Sequence, residues 1–139
     1  MPDKKLNLKI ITPERVVVDE QIDAIYSKAV DGEFGVLPGH VPFMTALDIG
    51  ITKYVNDNKD EFIAVIGGIF QVSEDNITIF SETAERGEEI DIHRAKAAEE
   101  RAEARLRTGA RDVDADRAQT ALMRALIRIQ TASKMRPGG

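Results

Sequence analysis

A short pattern occurs twice in the C-terminal third of this chain, and it constrains the fold more than any other feature. The first copy begins at Ile90-Asp91 and the second at Val113-Asp114. Each contains an apolar residue, Asp, two variable residues and Arg-Ala, followed by Ala and Arg at matching positions. Internal self-similarity of this kind indicates a repeated structural unit. Two copies are too few for a solenoid, so we predict a pair of matched helices.

The two Asp residues mark the predicted helix starts, because an N-cap carboxylate accepts hydrogen bonds from free N–H groups of the first turn. Thr108-Gly109 is predicted to end the first helix, since Gly readily adopts the left-handed C-cap conformation. The short connection predicts an antiparallel hairpin. Apolar residues at spacings of three and four share one face of each helix: Ala95, Ala98, Ala102 and Leu106, and then Ala118, Leu122, Ala125, Ile129 and Ala132.

The same spacing gives each helix a stripe of arginines: Arg94, Arg101 and Arg105, and then Arg117, Arg124 and Arg128. Such stripes are usually solvated faces, and the functional alternative is an anion site or an acidic partner. The hairpin buries mainly Ala, which contributes little apolar area. We therefore expect that it can leave its neighbour without unfolding the rest of the protein.

Charge is distributed unevenly along the chain. Residues 1–90 hold 17 acidic and 8 basic residues, whereas residues 91–139 hold 7 and 11. Such asymmetry is typical of a protein that meets an acidic or polyanionic partner. No aromatic residue lies among the C-terminal basic residues, although single-strand binders normally stack bases on aromatics. A nucleic-acid-binding hairpin thus depends on the basic tail alone, and we expect no nucleic-acid partner.

Composition excludes several classes of protein. The chain has no Cys, so disulfides and thiolate metal sites are ruled out. Its N-terminus lacks the apolar core of a signal peptide, and no apolar run is long enough to cross a bilayer. The His, Asp and Glu residues form no cluster with ligand spacing, so we expect no metal. We predict a soluble protein that reaches a membrane only through a partner.

The first ninety residues are patterned for strands. Apolar residues alternate with polar ones near both ends of this region, and turn signals occur at close intervals. Many short strands with regular turns favour an antiparallel sandwich or barrel. Gly67-Gly68 inside a strand pattern predicts a bulge or a close backbone approach, or simply a bent sheet corner. The predicted fold is an antiparallel β-sandwich over residues 1–88 and a helical hairpin over residues 89–139.

Within this region, residues 32–42 form a loop rich in glycine and proline, and its three glycines and two prolines fix the backbone path. We expect Glu33 and His40 to face outward from it. The loop is not a phosphate loop, because no Gly-Lys-Ser/Thr follows. The chain also lacks an elbow Ser, a Cys nucleophile and any other catalytic constellation. An ordered β domain with a detachable helical arm and no catalytic group is typical of a coupling or regulatory subunit.

Three blocks of this chain resemble the epsilon subunit of bacterial F-type ATP synthase. The first is the loop from Gly32 through Leu47, the second Gly67–Val72 with Asn76–Ile79, and the third Glu89-Ile90-Asp91 entering the Ala-rich hairpin. The resemblance covers nearly the whole chain. It implies a sandwich of about ten strands and a two-helix hairpin, in a non-catalytic rotor subunit that couples proton translocation to ATP synthesis.

The resemblance also implies partners. They are the gamma subunit, the ring of c subunits and, in an inhibited state, the alpha and beta catalytic subunits, at the cytoplasmic face of the bacterial inner membrane. The loop with Glu33 and His40 would face the c-ring. The hairpin would either rest on the sandwich or extend and block ATP hydrolysis. Basic residues would then meet acidic loops on beta: Arg124, Arg128, Lys134 and Arg136.

Members of the family from Bacillus bind ATP on the folded hairpin, and no other cofactor is implied. Their motif, Ile/Leu-Asp-x-x-Arg-Ala, matches residues 90–95 here. By resemblance, Glu85, Asp91 and Ala95 would recognise the adenine side, and Ile90 of the motif is a further candidate for the site. The phosphates would be held by four guanidinium groups: Arg94, Arg101, Arg124 and Arg128. A stand-alone nucleotide-sensing module of the same architecture is the alternative function.

Overall fold

The computed structural model describes residues 4–109 and 112–135. Eight strands precede two helices, with a short 3-10 helix, Gly87–Glu89, between them. In chain order the elements are β1 (Leu6–Ile11), β2 (Val16–Ile22), β3 (Ala24–Ala29), β4 (Gly32–Val36), β5 (Phe43–Asn56), β6 (Lys59–Ser73), β7 (Asn76–Phe80), β8 (Ala84–Arg86), α1 (Ile92–Arg107) and α2 (Asp112–Met135). The predicted sandwich followed by a two-helix hairpin is confirmed.

The strands hydrogen-bond in the order β2-β1-β7-β6-β5-β3-β4, and β8 pairs with β6. Neighbouring strands are antiparallel except β1 and β7, which are parallel. The predicted antiparallel sandwich thus includes one parallel pair, β1 with β7. Turn signals identify hairpins between consecutive strands, but they carry no information about a pairing between the first strand and the seventh.

Two long strands, β5 and β6, bend where the predicted bulge lies. Leu47 pairs with Gly68 and Ile49 pairs with Ile66, so one residue on each strand is left out of the ladder. Gly68 has φ +134°, and a Cβ there would collide with the carbonyl oxygen of Phe80. Because β5 and β6 continue through this bend as single strands, the described residues form eight strands rather than the ten implied by the resemblance.

The core of the sandwich consists of large side chains. Tyr54, Phe70 and Ile63 are completely buried. Burial raises the pKa of the Tyr54 hydroxyl to about 12, and its oxygen lies 3.3 Å from Nη1 of Arg86, which donates to it. Arg86 Nε donates to the Val17 carbonyl oxygen at 3.1 Å. The arginine at the end of β8 thus ties the last strand to the core.

The predicted start and end of α1 are confirmed. Asp91 Oδ1 accepts a hydrogen bond from the Arg94 backbone N–H at 3.1 Å, and Gly109 has φ +75°. The described part of the second helix already includes Asp112, so the predicted start at Asp114 lies inside the helix. The cap rule failed there because acidic residues are also favourable within the first turn, next to the positive end of the helix dipole.

Alanines form the contact between the helices, as the spacing predicted. Ala95 and Ala102 of α1 and Ala118, Ala125 and Ala132 of α2 are each at most 5% exposed. Residues near the end of α2 lie beside the start of α1, and Ala118 and Ala121 lie beside the later part of α1. The helices are therefore antiparallel.

A small apolar cluster holds α2 against the sheet. Ala132 packs with Ala64 of β6 and with Ile90, flanked by two partly buried isoleucines, Ile92 and Ile127. Gly87 lies directly beneath the end of α2, where an added Cβ would collide with the Met135 side chain and lie 2.9 Å from the Thr131 carbonyl oxygen. The hairpin thus rests on the sandwich through a narrow, closely fitted contact.

Candidate nucleotide cleft at the base of the hairpin

A cleft of about 400 Å³ lies where β8 and the 3-10 helix meet the hairpin. It takes residues from the end of the sandwich, from the first two thirds of α1 and from the last third of α2. Its walls carry both carboxylates and guanidinium groups. The lining residues are Glu85, Glu89, Ile90, Asp91, Arg94, Ala95, Ala98, Arg101 and Arg128.

Local backbone structure fixes one wall of the cleft. Ile90 is 2% exposed and anchors the chain between the 3-10 helix and α1. Asp91 caps α1, so its carboxylate is held at the cleft edge. Ala95, one turn further, has a small side chain that leaves the space open. The apolar-Asp-x-x-Arg-Ala pattern therefore supplies a buried anchor (Ile90), a helix cap (Asp91), a cation (Arg94) and a small side chain that leaves space (Ala95).

Each carboxylate of the cleft already has a bonding partner. Glu85 Oε1 accepts a hydrogen bond from Arg128 Nε at 2.6 Å, an ion pair that joins β8 to α2. Both Glu89 oxygens accept from the guanidinium of Arg15, at 3.0 and 3.1 Å. Hydrogen bonds from Arg15 hold the pKa of Glu89 below its ordinary value. Glu85 and Glu89 are thus ion-paired within the protein, and the third carboxylate of the cleft, Asp91, accepts from the Arg94 backbone N–H.

Two guanidinium groups at the cleft have no such partner. Arg94 and Arg101 are exposed, and neither forms an ion pair with any residue that the structure describes. Arg128 donates from Nε to Glu85, which leaves its two terminal nitrogens without a partner among the residues that the structure describes. Arginine forks match the oxygens of phosphate and carboxylate. The cleft can therefore accept a polyanion beside a pocket with an apolar and an acidic wall.

Seven of the eight nucleotide-site candidates line this one cleft: Glu85, Ile90, Asp91, Arg94, Ala95, Arg101 and Arg128. Arg124 is exposed on α2 and does not line it. Sequence reasoning missed Glu89 and Ala98. Ala98 was detectable, because it lies three residues after Ala95 on the same helix face. Glu89 was not, because its partner Arg15 is far away in the sequence.

The two c-ring candidates lie in different surroundings. Glu33 is exposed on β4, opposite Lys28 of β3. His40 is half-buried, with its ring 5.8 Å from that of Phe43 and its Nδ1 2.6 Å from the Val41 carbonyl oxygen. Large apolar side chains beside the loop are exposed: Leu37, Val41 and Met44. The loop therefore offers an apolar surface next to an acidic strand.

The four candidates for contact with beta also differ from one another. Arg124 is exposed, Arg128 is paired with Glu85, and the Lys134 ammonium lies 5.6 Å from the centre of the Phe62 ring. Arg136 lies outside the described residues. In the docked hairpin two of these cations thus contact the sandwich of their own chain.

Residues 4–109 and 112–135 contain no group of three His, Asp or Glu side chains that could hold a metal ion. None of the helices in these same ranges combines the length and the apolar character that a membrane span requires.

Two family models together match almost the whole chain. The model for the β-sandwich domain of the ATP synthase delta/epsilon chain matches residues 5–87. The model for the long α-helix domain of the same chain matches residues 88–133. This protein belongs to the ATP synthase delta/epsilon chain family. The resemblance to epsilon subunits is thereby confirmed, and epsilon chains are non-catalytic subunits of the complex.

Curated relatives agree with this assignment. The ATP synthase epsilon chain of Nitratidesulfovibrio vulgaris is 46% identical over 128 residues, which is 92% of this chain and 96% of the relative. The epsilon chain of Desulforamulus reducens is 43% identical over 129 residues, 93% of this chain and 98% of the relative. A chain in the mitochondrial ATP synthase of Euglena gracilis, in a structure of OSCP, F1 and c-ring, shares the fold with a TM-score of 0.75 at 24% identity, covering 86% of this chain and 76% of that one.

Proposed function

We propose that this protein is a rotor subunit in the central stalk of a bacterial ATP synthase, where it couples proton translocation to ATP synthesis. Its hairpin restrains ATP hydrolysis when extended and binds ATP in the cleft when docked. The subunit works at the cytoplasmic face of the membrane, held there by the complex. The observation that carries the proposal is the cleft between β8, the 3-10 helix and the hairpin, which brings together seven of the eight nucleotide-site candidates.

The cleft couples ligand binding to the position of the hairpin. Arg94 and Arg101 come from α1, Arg128 from α2 and Glu85 from the sandwich. These groups are together only when the hairpin is docked. ATP that contacts all of them stabilises the docked form by mass action. Falling ATP concentration then releases the hairpin toward the catalytic subunits.

The contacts of the hairpin cations support a two-position element. Arg128 and Lys134 interact with the sandwich in the docked form. When the hairpin extends, both side chains lose those contacts and are free to meet acidic loops on beta together with Arg124 and Arg136. Exposed ion pairs are individually weak. Several of them together bias an equilibrium between two positions that differ by a few kcal/mol.

Exposed apolar side chains on the sandwich suit protein partners. Met44, Ile69 and Phe80 on adjacent strands are each at least 41% exposed. Exposed apolar patches of this kind mark protein interfaces. We assign this surface to the gamma subunit, and the loop with Leu37, Val41 and His40, together with Glu33 on β4, to the c-ring. The Euglena neighbour comes from a structure of OSCP, F1 and c-ring, which supports partners of this general kind.

Titration calorimetry of the isolated protein with ATP tests the nucleotide site. The unsubstituted chain is expected to bind one ATP, and Arg94→Ala to weaken binding by about tenfold or more, since a hydrogen bond to a charged group contributes about 1.5–3 kcal/mol. Arg107→Ala is the matched control, because Arg107 is exposed on the same helix and does not line the cleft. Equal loss in both variants, or no loss in either, contradicts the assignment.

Truncation after Glu89 tests the regulatory role in the assembled complex. Gamma binding is assigned to the sandwich, so the truncated subunit should still co-purify with gamma. ATP hydrolysis by the complex should rise, because the inhibitory arm is absent. Normal incorporation with unchanged hydrolysis contradicts an inhibitory hairpin. ATP binding without any association with gamma instead favours a stand-alone nucleotide-sensing module.

A further inference from the structure

A second, larger groove lies between the sheet and α2, with a volume of about 570 Å³. It shares no lining residue with the nucleotide cleft. Its floor is formed by apolar side chains of β5 and β6, and its other wall by Ile127 and Gln130 of α2. Neither the family assignment nor the proposed function gives this groove a role.

Strand register explains why the floor is apolar and incompletely covered. Lys53 pairs with Phe62, Ile51 with Ala64, and Ile49 with Ile66, so these six residues lie on the same face of the sheet. Ala64 is 1% exposed and packs against Ala132 of α2. Ile49, Ile51 and Phe62 remain only half-buried. A narrow helix face thus covers one part of an apolar surface that is wider than the helix.

The rim of the groove is mainly basic. Lys28, Lys53 and Lys134 line it, with Glu33 as the acidic member. The Lys28 ammonium lies 3.9 Å from the carboxylate of Asp48, and the Lys53 ammonium lies 3.9 Å from that of Asp60. Both distances are beyond ordinary hydrogen-bond distance. Lys53 lies over the ring of Tyr26 at 5.4 Å, and Lys134 over that of Phe62 at 5.6 Å. The rim therefore holds cations close to an apolar floor without closely bonded counter-ions.

We propose that this groove binds an amphipathic organic anion. The apolar body of the ligand packs on Ile49, Ile51 and Phe62, and its acidic head lies between Lys134 and the strand lysines. The volume falls within the range of ordinary small-molecule sites, which are mostly apolar with a few charged groups. Because the sheet and α2 both line the groove, an occupant also stabilises the docked hairpin. The inference is independent of the nucleotide cleft.

Titration of the full chain with 8-anilinonaphthalene-1-sulfonate, an aromatic sulfonate, tests the proposal by fluorescence. One binding site per chain is expected, and the fluorescence emission of the bound sulfonate should be shifted to shorter wavelength. Lys28→Glu and Lys134→Glu should each weaken binding by about tenfold. Lys59→Glu is the matched control, because it makes the same charge change at an exposed position outside the groove. The neutral analogue N-phenyl-1-naphthylamine, which lacks the sulfonate, should bind more weakly than the sulfonate.

Three results would overturn the proposal: no saturable site, equal affinity for the sulfonate and its neutral analogue, or the same affinity in the two groove variants and the control. Lys28 belongs to the sheet, so that variant reports on the groove even if Lys134→Glu displaces the hairpin. Arg94→Ala should leave sulfonate binding unchanged. Loss of sulfonate binding in that variant would also contradict a separate site, whereas loss of ATP binding alone concerns only the nucleotide cleft.

Discussion

The sandwich and the hairpin are built from different side chains. The sandwich core contains completely buried Tyr54, Phe70 and Ile63, whereas buried alanines form most of the contact within the hairpin. The cluster between hairpin and sheet is equally small, with Ala64, Ile90 and Ala132 at its centre. Buried apolar area sets the main stabilising contribution. The same chain therefore contains a strongly held body, the sandwich, and a weakly held arm, the hairpin.

This difference in packing is the physical reason why we propose a regulatory role for the arm. An element that moves must come from the low-stability end of a structure, and a few small side chains satisfy that condition. The nucleotide cleft lies at the joint between body and arm, where a ligand acts on the position of the arm without disturbing the sandwich core. The predictions below test this division, starting with the substitution that should have the largest effect.

Phe70→Ala should destabilise the sandwich most. Phe70 is completely buried, with its ring 4.8 Å from that of Phe34. Replacing a buried Phe by Ala costs about 3–5 kcal/mol, because apolar contacts are lost and a cavity remains. Urea denaturation followed by circular dichroism measures the change. Ala125→Gly in the hairpin is the counterpart and should lower the midpoint for the strands far less. Similar losses for the strands in both variants would contradict two regions of unequal stability.

Gly87→Ala should weaken the docking of the arm while the body remains folded. The added methyl group would collide with Met135 and approach the Thr131 carbonyl oxygen, and overpacking of this kind costs about 1–3 kcal/mol. Hydrogen exchange should become faster in the last turns of α2 and stay unchanged in β1 and β7. Ser133→Ala, at an exposed position on α2, is the control. Unchanged exchange near Met135 would show that the contact is not tight.

The Glu85–Arg128 ion pair should contribute a smaller amount. The two side chains are 33% and 26% exposed, so solvent screening limits the interaction to about 1 kcal/mol. A double-mutant cycle with Glu85→Gln and Arg128→Met measures the coupling in the free energy of docking. Zero coupling would remove this pair from the contacts that hold the arm. A coupling near that of a fully buried pair would mean that the joint is more rigid than proposed.

The smallest expected effect is on the pH dependence of stability. Arg15 holds the pKa of Glu89 below its ordinary value of 4.5 in the folded protein. The pair therefore stabilises the fold fully above about pH 4.5, and this contribution is lost as the pH falls through the lower folded-state pKa. In Arg15→Met, NMR titration should show the Glu89 pKa returning toward 4.5. A pKa that stays depressed in this variant would assign the shift to another group.

Local sequence signals predicted most of the hairpin. Asp91 as cap, Gly109 as terminator and the alanine face all depend on residues close together in the chain. The nucleotide-site candidates came from the resemblance of residues 90–95 to the family motif, and the structure brings seven of them to one cleft. The start of α2 could not be predicted in the same way, because Asp112, Asp114 and Asp116 are all suitable N-cap residues.

Long-range pairings are what the sequence did not reveal. The parallel pairing of β1 with β7 and the Arg15–Glu89 contact join residues separated by more than sixty positions. The position of Arg124 outside the cleft depends on how α2 packs against α1 and β6. Charge type and spacing indicate which helix face an arginine occupies, but only the packed structure determines which groups that face meets.

Hydrogen exchange of the isolated protein, with and without ATP, tests the central claim most directly. We expect amides in α1 and α2 to exchange through an opening that costs much less free energy than global unfolding. We also expect saturating ATP to slow their exchange while amides in the core strands are unaffected. If the helices exchange only together with the core strands, and ATP changes nothing, the hairpin is a fixed part of the fold and the regulatory account is wrong.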